Sequence, residues 1–460
     1  MVTANQKYWQ ILPLGHTGFG DSPYQCFSVV AGNPYFIDLV KLIEAGYLFE
    51  EDLTESDQSY GKIDYNKLAK VRLKILHTAY NRAYPIIKSE IDEFVQKNED
   101  WIVDYALFMA VKKHFSNKPM WDWDDKEIKK RTPKAMAYYS KLLKEDIEFY
   151  YFIQYLFFQQ WNSLKEYANQ KGILFIGDIP MYPSPDSCDV WANRHLFKVD
   201  EDLKCYKVAG VPPDIYSKTG QLWGNPIYKW DVHQKDGFSW WLWRIEHTLD
   251  MADVIRIDHF RAFQDYWEIL GTDKTALNGR WVPGPRMALF EAIKKRFGDI
   301  PIIAEDLGII GDDVRELLLE SGYPGMNVLI FGLNPYDDST HKPHNYKINS
   351  VAYTSTHDSE TFCHAMKNLS DMERVLMKQY LNYNKTEETL GFAGIRNTWA
   401  SCSIIAMTMI SDLLSLEEEG RINTPSTLGG NWDWRLKPGE LTTSILADLE
   451  HLTWLYKRNM

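Results

Sequence analysis

Three acidic residues in this chain stand where a short apolar run gives way to polar residues. In Asp253-Val254-Ile255-Arg256-Ile257-Asp258-His259, the two-residue period of a strand sets Arg256 and Asp258 on one face, where the guanidinium would hold the carboxylate ionised. Ile302-Ile303-Ala304-Glu305-Asp306 delivers Glu305 about one β/α unit further on, and Val351 to Thr354 runs into Ser355-Thr356-His357-Asp358 about as far again. A carboxylate that attacks an anomeric carbon, with a second carboxyl that protonates the leaving oxygen, is what retaining glycoside chemistry requires. On that reading Asp258 is the nucleophile and Glu305 the acid/base. Asp358 would bind sugar hydroxyls and, by like-charge proximity, raise the pKa of Glu305. Taken singly, each acid also fits a strand-end salt bridge or a helix cap, and from the residues alone both readings stand.

The elements that must position these acids are continuous apolar runs: Trp9 to Leu14, Ile173 to Asp178, Val254 to Asp258, Ile302 to Glu305, Asn327 to Phe331, Val351 to Thr354, and a run within Ser403 to Leu414. Continuous rather than alternating apolarity suits strands covered on both faces. Helical stripes lie between them, such as Phe149, Phe152, Ile153, Leu156, Phe157, Trp161 and Leu164, and strands alternating with helices imply a parallel sheet. Acids at the ends of several strands favour a closed barrel over a doubly wound sheet, because barrel loops converge on one mouth. The expected fold is therefore α/β, a (β/α)8-type barrel (TIM barrel) with helical and loop insertions. Only seven strands are visible where such a barrel needs eight, and the first begins within ten residues of Met1. The expected division is 1–59 as barrel start, 60–170 as a helical insertion subdomain, 171–181 as a barrel strand, 182–235 as a loop-rich insertion over the active site, and 236–460 as the remainder of the barrel.

Composition narrows the partners. The chain has 460 residues, 45 % apolar, 14 % aromatic and 25 % charged, with a formal charge of −12. That much apolar material excludes a disordered or fibrous chain. The negative balance, without basic runs interleaved with aromatics, argues against nucleic acid and against an anionic membrane surface. No apolar stretch reaches the ~18 residues of a membrane span, and Met1 to Gln10 lacks a signal pattern. Five cysteines without zinc spacing read as reduced thiols, so the expected location is cytoplasmic. His341, His344 and His357 lack matching carboxylates, and no metal is expected. Trp121-Asp122-Trp123 reads as helix-packing aromatics rather than an exposed binding patch. Lys126, Lys129, Lys130 and Arg131, like Glu417 to Glu419, read as solvated faces.

Longer motifs carry a resemblance. Tyr8-Trp9-Gln10-Ile11-Leu12-Pro13-Leu14-Gly15, Gly18-Phe19-Gly20-Asp21-Ser22-Pro23-Tyr24-Gln25, Gly177-Asp178-Ile179-Pro180, Gly210-Val211-Pro212-Pro213-Asp214, Trp223-Gly224-Asn225-Pro226, the three acid-bearing strands, Pro343-His344-Asn345-Tyr346, Asn423-Thr424-Pro425 and Gly430-Asn431-Trp432 resemble the 4-α-glucanotransferase family, also called amylomaltase or disproportionating enzyme. The similarity runs from about Tyr8 to Arg435. It implies transfer of an α-1,4-glucan segment from a maltooligosaccharide donor, through a covalent glucosyl-enzyme, to a sugar acceptor, with no metal or organic cofactor. It assigns Asp258 as nucleophile, Glu305 as acid/base and Asp358 as transition-state stabiliser. Tyr24, Asp178, Arg256 and His357 match residues around the donor subsites, and Gln221 and Trp223 match a loop over the cleft. The loop from Ala209 to Trp230 would cover the site against water, bending at Gly210, Gly220 and Gly224 and offering Tyr216 and Trp223 as apolar area. An α-glucan hydrolase, or a glucan-binding protein without turnover, are the alternatives. Two departures from the family pattern stand out: the strand and helix that the resemblance implies ahead of Trp9-Gln10 are not seen, so the first barrel strand is expected to be missing, and Ser359-Glu360-Thr361 follows His357-Asp358 where Asn then Asp is more usual.

Overall fold

Seven of the apolar runs become short strands, all parallel to their neighbours, in a computed structural model that describes residues 1–54, 56, 61–213 and 217–459. They are β1 (Tyr8–Gln10), β2 (Leu174–Ile179), β3 (Val254–Ile257), β4 (Ile302–Ala304), β5 (Gly325–Val328), β6 (Ser350–Tyr353) and β7 (Ile405–Met407). Every residue of β3, β4 and β6 is buried, as strands packed on both faces must be. One sheet has the order β1-β2-β3-β4 and a second the order β7-β6-β5. The Ala304 N–H donates to the Pro324 carbonyl at 2.9 Å where β4 passes the start of β5.

The expected closed barrel is not formed among the described residues. β1 and β7 each pair with a strand on one side only, Trp9 on β1 is 44 % exposed, and all three residues of β7 are half-buried. A single side-chain bond crosses from β6 to β1, the Tyr353 hydroxyl donating to Gln10 Oε1 at 2.8 Å. The outer side near these edges is packed by the chain ends. Ala4 joins Phe392, Trp399 and Leu449 in one apolar cluster, against which Ala406 of β7 also packs.

Residues between β1 and β2 are mostly helical, with three long helices: α1 (Tyr65–Lys97), α2 (Glu99–His114) and α3 (Lys144–Gln170). The stripe of Phe149, Phe152, Ile153, Leu156 and Phe157 on α3 belongs to one apolar core that continues into Ile255 and Ile257 of β3 and Ile302 of β4. The outer helix before β3, α4 (Ser239–Met251), contributes Trp241 and Ile245 to the same core. Trp123 is fully buried against Phe108, Phe115 and Trp191. The basic cluster beside it is not a solvated face throughout. Lys129 is buried and donates to the Trp121 carbonyl at 2.9 Å. Arg131 pairs with Asp104 at 2.6 Å and lies 4.2 Å over the Trp191 ring. A nearby carbonyl draws Lys129 inward and partners distant in sequence draw in Arg131, and the charge run alone reveals neither.

Residues 182–235 differ from the loops expected there. Lys207–Val211 and Gln221–Pro226 form antiparallel strands, and Asp265–Leu270 and Arg280–Pro283 complete a four-stranded sheet. Gly210 lies where that sheet is tightest: a Cβ there would stand 2.2 Å from the Gln221 carbonyl oxygen. The fully buried carboxylate of Glu268 ties the sheet to Lys207 at 3.2 Å and Arg280 at 2.9 Å, and also to Lys198.

Candidate active site

Register places the acids. Asp178 on β2 pairs with Arg256 on β3, and Ile257 on β3 pairs with Ala304 on β4. Asp258 and Glu305 are therefore the next residues past two paired positions, on neighbouring strands at their carboxyl ends, the end at which barrel enzymes build their sites. His357 and Asp358 arrive there from β6, four and five residues past Tyr353. Gly177 lets β2 lie close to the segment after α4, since a Cβ there would fall 2.7 Å from that of Ala252.

A polar chain then links the two sides of the cleft. Arg256 Nη1 donates to Asp178 Oδ1 at 2.7 Å and Oδ2 at 2.8 Å, and to Asp258 Oδ1 at 3.1 Å. The Tyr24 hydroxyl donates its one proton to Asp178 Oδ2 at 2.6 Å, so toward His357 Nε2, 2.8 Å away, it acts as acceptor. The same His357 nitrogen faces Asp358 Oδ2 at 3.1 Å, and Asn423 Nδ2 donates to Asp358 Oδ1 at 2.7 Å. Trp432 stands 6.0 Å, ring to ring, from both Tyr24 and His357.

Glu305 is held by backbone. The His259 N–H donates to its Oε2 at 2.7 Å and the Leu307 N–H to its Oε1 at 2.8 Å. His259 reaches this position through a left-handed conformation, φ 51°, which turns the chain directly after Asp258 and aims its N–H at the neighbouring strand. One turn thus fixes the nucleophile candidate and the acid/base candidate relative to each other.

Electrostatics separates the three carboxyls. Burial is the larger influence on Asp258 and lifts its pKa to about 6 against the pull of Arg256. The expected ionising grip of Arg256 is thus outweighed by burial, to which repulsion from Asp178 adds. Burial, then repulsion from Asp258, pushes Glu305 up to about 8. Asp358, expected to supply that lift, acts instead on Asp258. Against the upward push of burial, His357 and Asn423 bring Asp358 down to about 2, and against the opposite push Asp358 raises His357. Near neutral pH, Asp258 and Asp358 are ionised and Glu305 keeps its proton.

Of the residues expected to bind substrate, Tyr24, Asp178, Arg256 and His357 form the connected network just described. Trp223 comes to the site through His259, its ring edge-on at 4.8 Å. Gln221 is reached only through Trp223, whose Nε1 donates to its Oε1 at 3.0 Å. Asp214 and Tyr216 lie outside the described residues. Sequence reasoning missed Asn423, Trp432 and the amides of His259 and Leu307 as site groups. Asn423 and Trp432 were visible as motif members, whereas nothing in a sequence marks an N–H aimed by a left-handed turn. Among the described residues no group of three or more His, Cys, Asp or Glu is placed to hold a metal. His341 Nδ1 accepts from the Val328 N–H at 3.2 Å, and His344 Nδ1 meets the Tyr380 hydroxyl at 2.8 Å.

Acids of opposed protonation on adjacent parallel strands, below an aromatic-bearing hairpin, form the kind of cleft that acid–base chemistry at a glycosidic bond requires. The model of the 4-alpha-glucanotransferase family matches residues 1–442, and the chain belongs to that family, transferases acting on α-1,4-glucans. A 4-alpha-glucanotransferase of Streptococcus pneumoniae is 44 % identical over 463 residues, covering 100 % of this chain and 91 % of that one. One from Thermus thermophilus is 41 % identical over 449 residues, covering 95 % and 89 %. Among solved structures, the amylomaltase from Streptococcus agalactiae in complex with acarbose superposes with a TM-score of 0.96 at 42 % identity, covering 99 % of this chain and 93 % of that one. The amylomaltase from Corynebacterium glutamicum, 15 % identical with a TM-score of 0.78, shares the fold.

Proposed function

We propose that this glucanotransferase works by double displacement with Asp258, Glu305 and Asp358 as its catalytic groups. Asp258 attacks the anomeric carbon of the donor while the proton of Glu305 passes to the leaving glycosidic oxygen, giving a shorter glucan and a covalent glucosyl ester on Asp258. Glu305, now a carboxylate, takes the proton of an acceptor sugar's 4-hydroxyl as that oxygen displaces Asp258. Two inversions give net retention and regenerate both groups. Asp358, ionised and braced by His357 and Asn423, binds sugar hydroxyls and stabilises positive charge at the reacting carbon. Tyr24, Asp178, Arg256 and His357 line the donor side. Gln221 and Trp223 belong to the 182–235 insertion, which covers the site and favours a sugar over water as acceptor.

The observation that carries this reading is the His259 turn, which couples Asp258 to Glu305 while burial and their mutual repulsion leave one ionised and the other protonated. The seven parallel strands read as the wall of a (β/α)8-type barrel, its eighth position lying between β7 and β1. The partners are a maltooligosaccharide or glucan donor and a sugar acceptor. No helix among the described residues is long and apolar enough to cross a membrane, and five free cysteines support a reducing, cytoplasmic setting. Incubation with maltotriose tests the activity: transfer yields glucose together with longer oligomers, and Asp258→Asn abolishes both. Glucose as sole product from every chain length would establish the hydrolase instead, and binding without any product would establish a glucan-binding protein.

A further inference from the structure

A second cavity, of about 470 Å³, opens on the helical layer away from the catalytic cleft, between the end of α1, the start of α2, the second half of α3 and the end of α4. Met251 is among its lining residues. Seven residues of largely extended chain run from there through β3 to Asp258, up to roughly 23 Å at about 3.3 Å per residue. The cavity thus sits toward the amino ends of the strands, whereas the catalytic acids sit past the carboxyl ends.

Its lining has two kinds of surface. Phe94, Trp101, Tyr155 and Phe158 present aromatic area, and all but Trp101 are half-buried with surface left to solvent. Around them stand amide and charged side chains. Asn162 and Lys97 make no side-chain hydrogen bond or ion pair among the described residues, although each lines the cavity. Gln159 spends only its Nε2, on the Tyr155 hydroxyl at 3.4 Å, and leaves its carbonyl oxygen open.

The walls are braced. Asp100 at the start of α2 accepts from Trp243 Nε1 at 2.5 Å and His247 Nε2 at 2.8 Å, both on α4. Trp161 Nε1 on α3 donates to the Met251 carbonyl at 3.1 Å, and Lys165 Nζ to that of Asp250 at 3.3 Å. A cavity held open by cross-helix bonds is pre-formed, and its volume lies within the ~300–1,000 Å³ of small-ligand sites.

Aromatic faces with free amides at their rim are suited to a pyranose, which offers C–H surface to rings and hydroxyls to amides. A hydrophobic helix would leave Asn162, Gln159 and Lys97 unsatisfied, and a strongly anionic ligand would meet Asp250 on the wall. We propose that this cavity is a non-catalytic binding site for a short stretch of α-glucan, which anchors long substrates to the enzyme. This rests on the glucanotransferase reading of the cleft, and its consequence is avidity: a chain held here raises the local concentration of its own remaining length at the cleft, an advantage that a trisaccharide too short to span both sites does not share.

The test uses the full chain with Asn162→Trp, which fills the cavity from an exposed helix position, and as a milder second variant Gln159→Ala combined with Asn162→Ala. KM for long-chain amylose should rise roughly tenfold in the filled variant, while kcat and KM for maltotriose stay unchanged. Calorimetric titration of maltoheptaose into Asp258→Asn protein, where turnover is blocked, should count two sites, falling to one when Asn162→Trp is added. An unchanged amylose KM in both variants, or an unchanged site count, overturns the proposal. Absence of maltotriose disproportionation in the unaltered enzyme would overturn the reading of the cleft instead, while the site count would still report on the cavity separately.

Discussion

Replacing Asp258 by Asn removes a negative charge from beside Glu305 while preserving shape, and the carboxamide oxygen retains the bond from Arg256 Nη1, 3.1 Å in the native protein. A retaining pair stands about 5 Å apart. At that separation, and at the effective dielectric of ~20 that describes protein sites, two unit charges repel by about 3 kcal/mol, equivalent to about two pH units of titration. Burial is the larger part of the lift that takes Glu305 to about 8, and Arg256 opposes it, so the share owed to Asp258 falls below that ceiling. Glu305 in Asp258→Asn should therefore titrate about one to two pH units lower than in the native enzyme, yet still above an ordinary glutamate, because burial remains. The assay is a pH titration of carboxyl-labelled glutamates by carbon NMR, with the Glu305 resonance assigned by its loss in Glu305→Gln. A Glu305 that titrates at the same pH in both proteins would mean that the two carboxyls are not coupled, and the reasoning from the His259 turn would fail.

The remaining predictions concern the rest of the site. The pH dependence of kcat/KM for maltotriose should be bell-shaped, rising through about 6 as Asp258 ionises and falling through about 8 as Glu305 loses its proton. A profile flat across that window would contradict the assigned protonation states. Asn423→Ala removes a 2.7 Å donor from Asp358. Its pKa should climb from about 2, and because the carboxylate is 47 % exposed and water can replace part of the bond, kcat should fall by only about tenfold, about 1.4 kcal/mol. Unchanged kcat would remove Asn423 from the account. Trp223→Ala uncovers the His259 turn and should raise hydrolysis relative to transfer, read as new reducing ends per oligosaccharide formed. An unchanged ratio would show that the hairpin does not shield the intermediate.

The acid-bearing face was legible because continuous apolar runs that end in acids read as buried strands whose last residues come to one edge of the sheet. Val254 to Asp258 and Ile302 to Glu305 both read as strands, and register alone brought their final residues side by side. The seven parallel strands could be picked out because each overlaps a short continuous apolar run. What stayed hidden depends on contacts between distant parts of the chain. Arg131 looks solvated in sequence, since nothing near it announces Asp104 or Trp191. The antiparallel sheet holding Trp223 escaped notice because its strands are short and Gly210 and Gly224 interrupt the alternation that marks a strand. The protonation states were only half legible. Arg256 beside Asp258 suggested an ionised acid, but sequence carries no measure of how completely both are removed from water, and burial proved the stronger influence. Asn423 and Trp432, from a stretch with no helical or strand period, reach the site by tertiary folding alone.

The central claim is that Asp258 becomes covalently bonded to the donor sugar while Glu305 manages the proton. Glu305→Gln slows release of the ester, and an α-glucosyl fluoride donor needs no acid to depart, so together they should accumulate the intermediate. Intact-protein mass spectrometry should then find one added glucosyl residue, and peptide mapping should place it on the fragment containing Asp258. Turnover of the fluoride with no adduct, or an adduct on any other carboxylate, would contradict the mechanism.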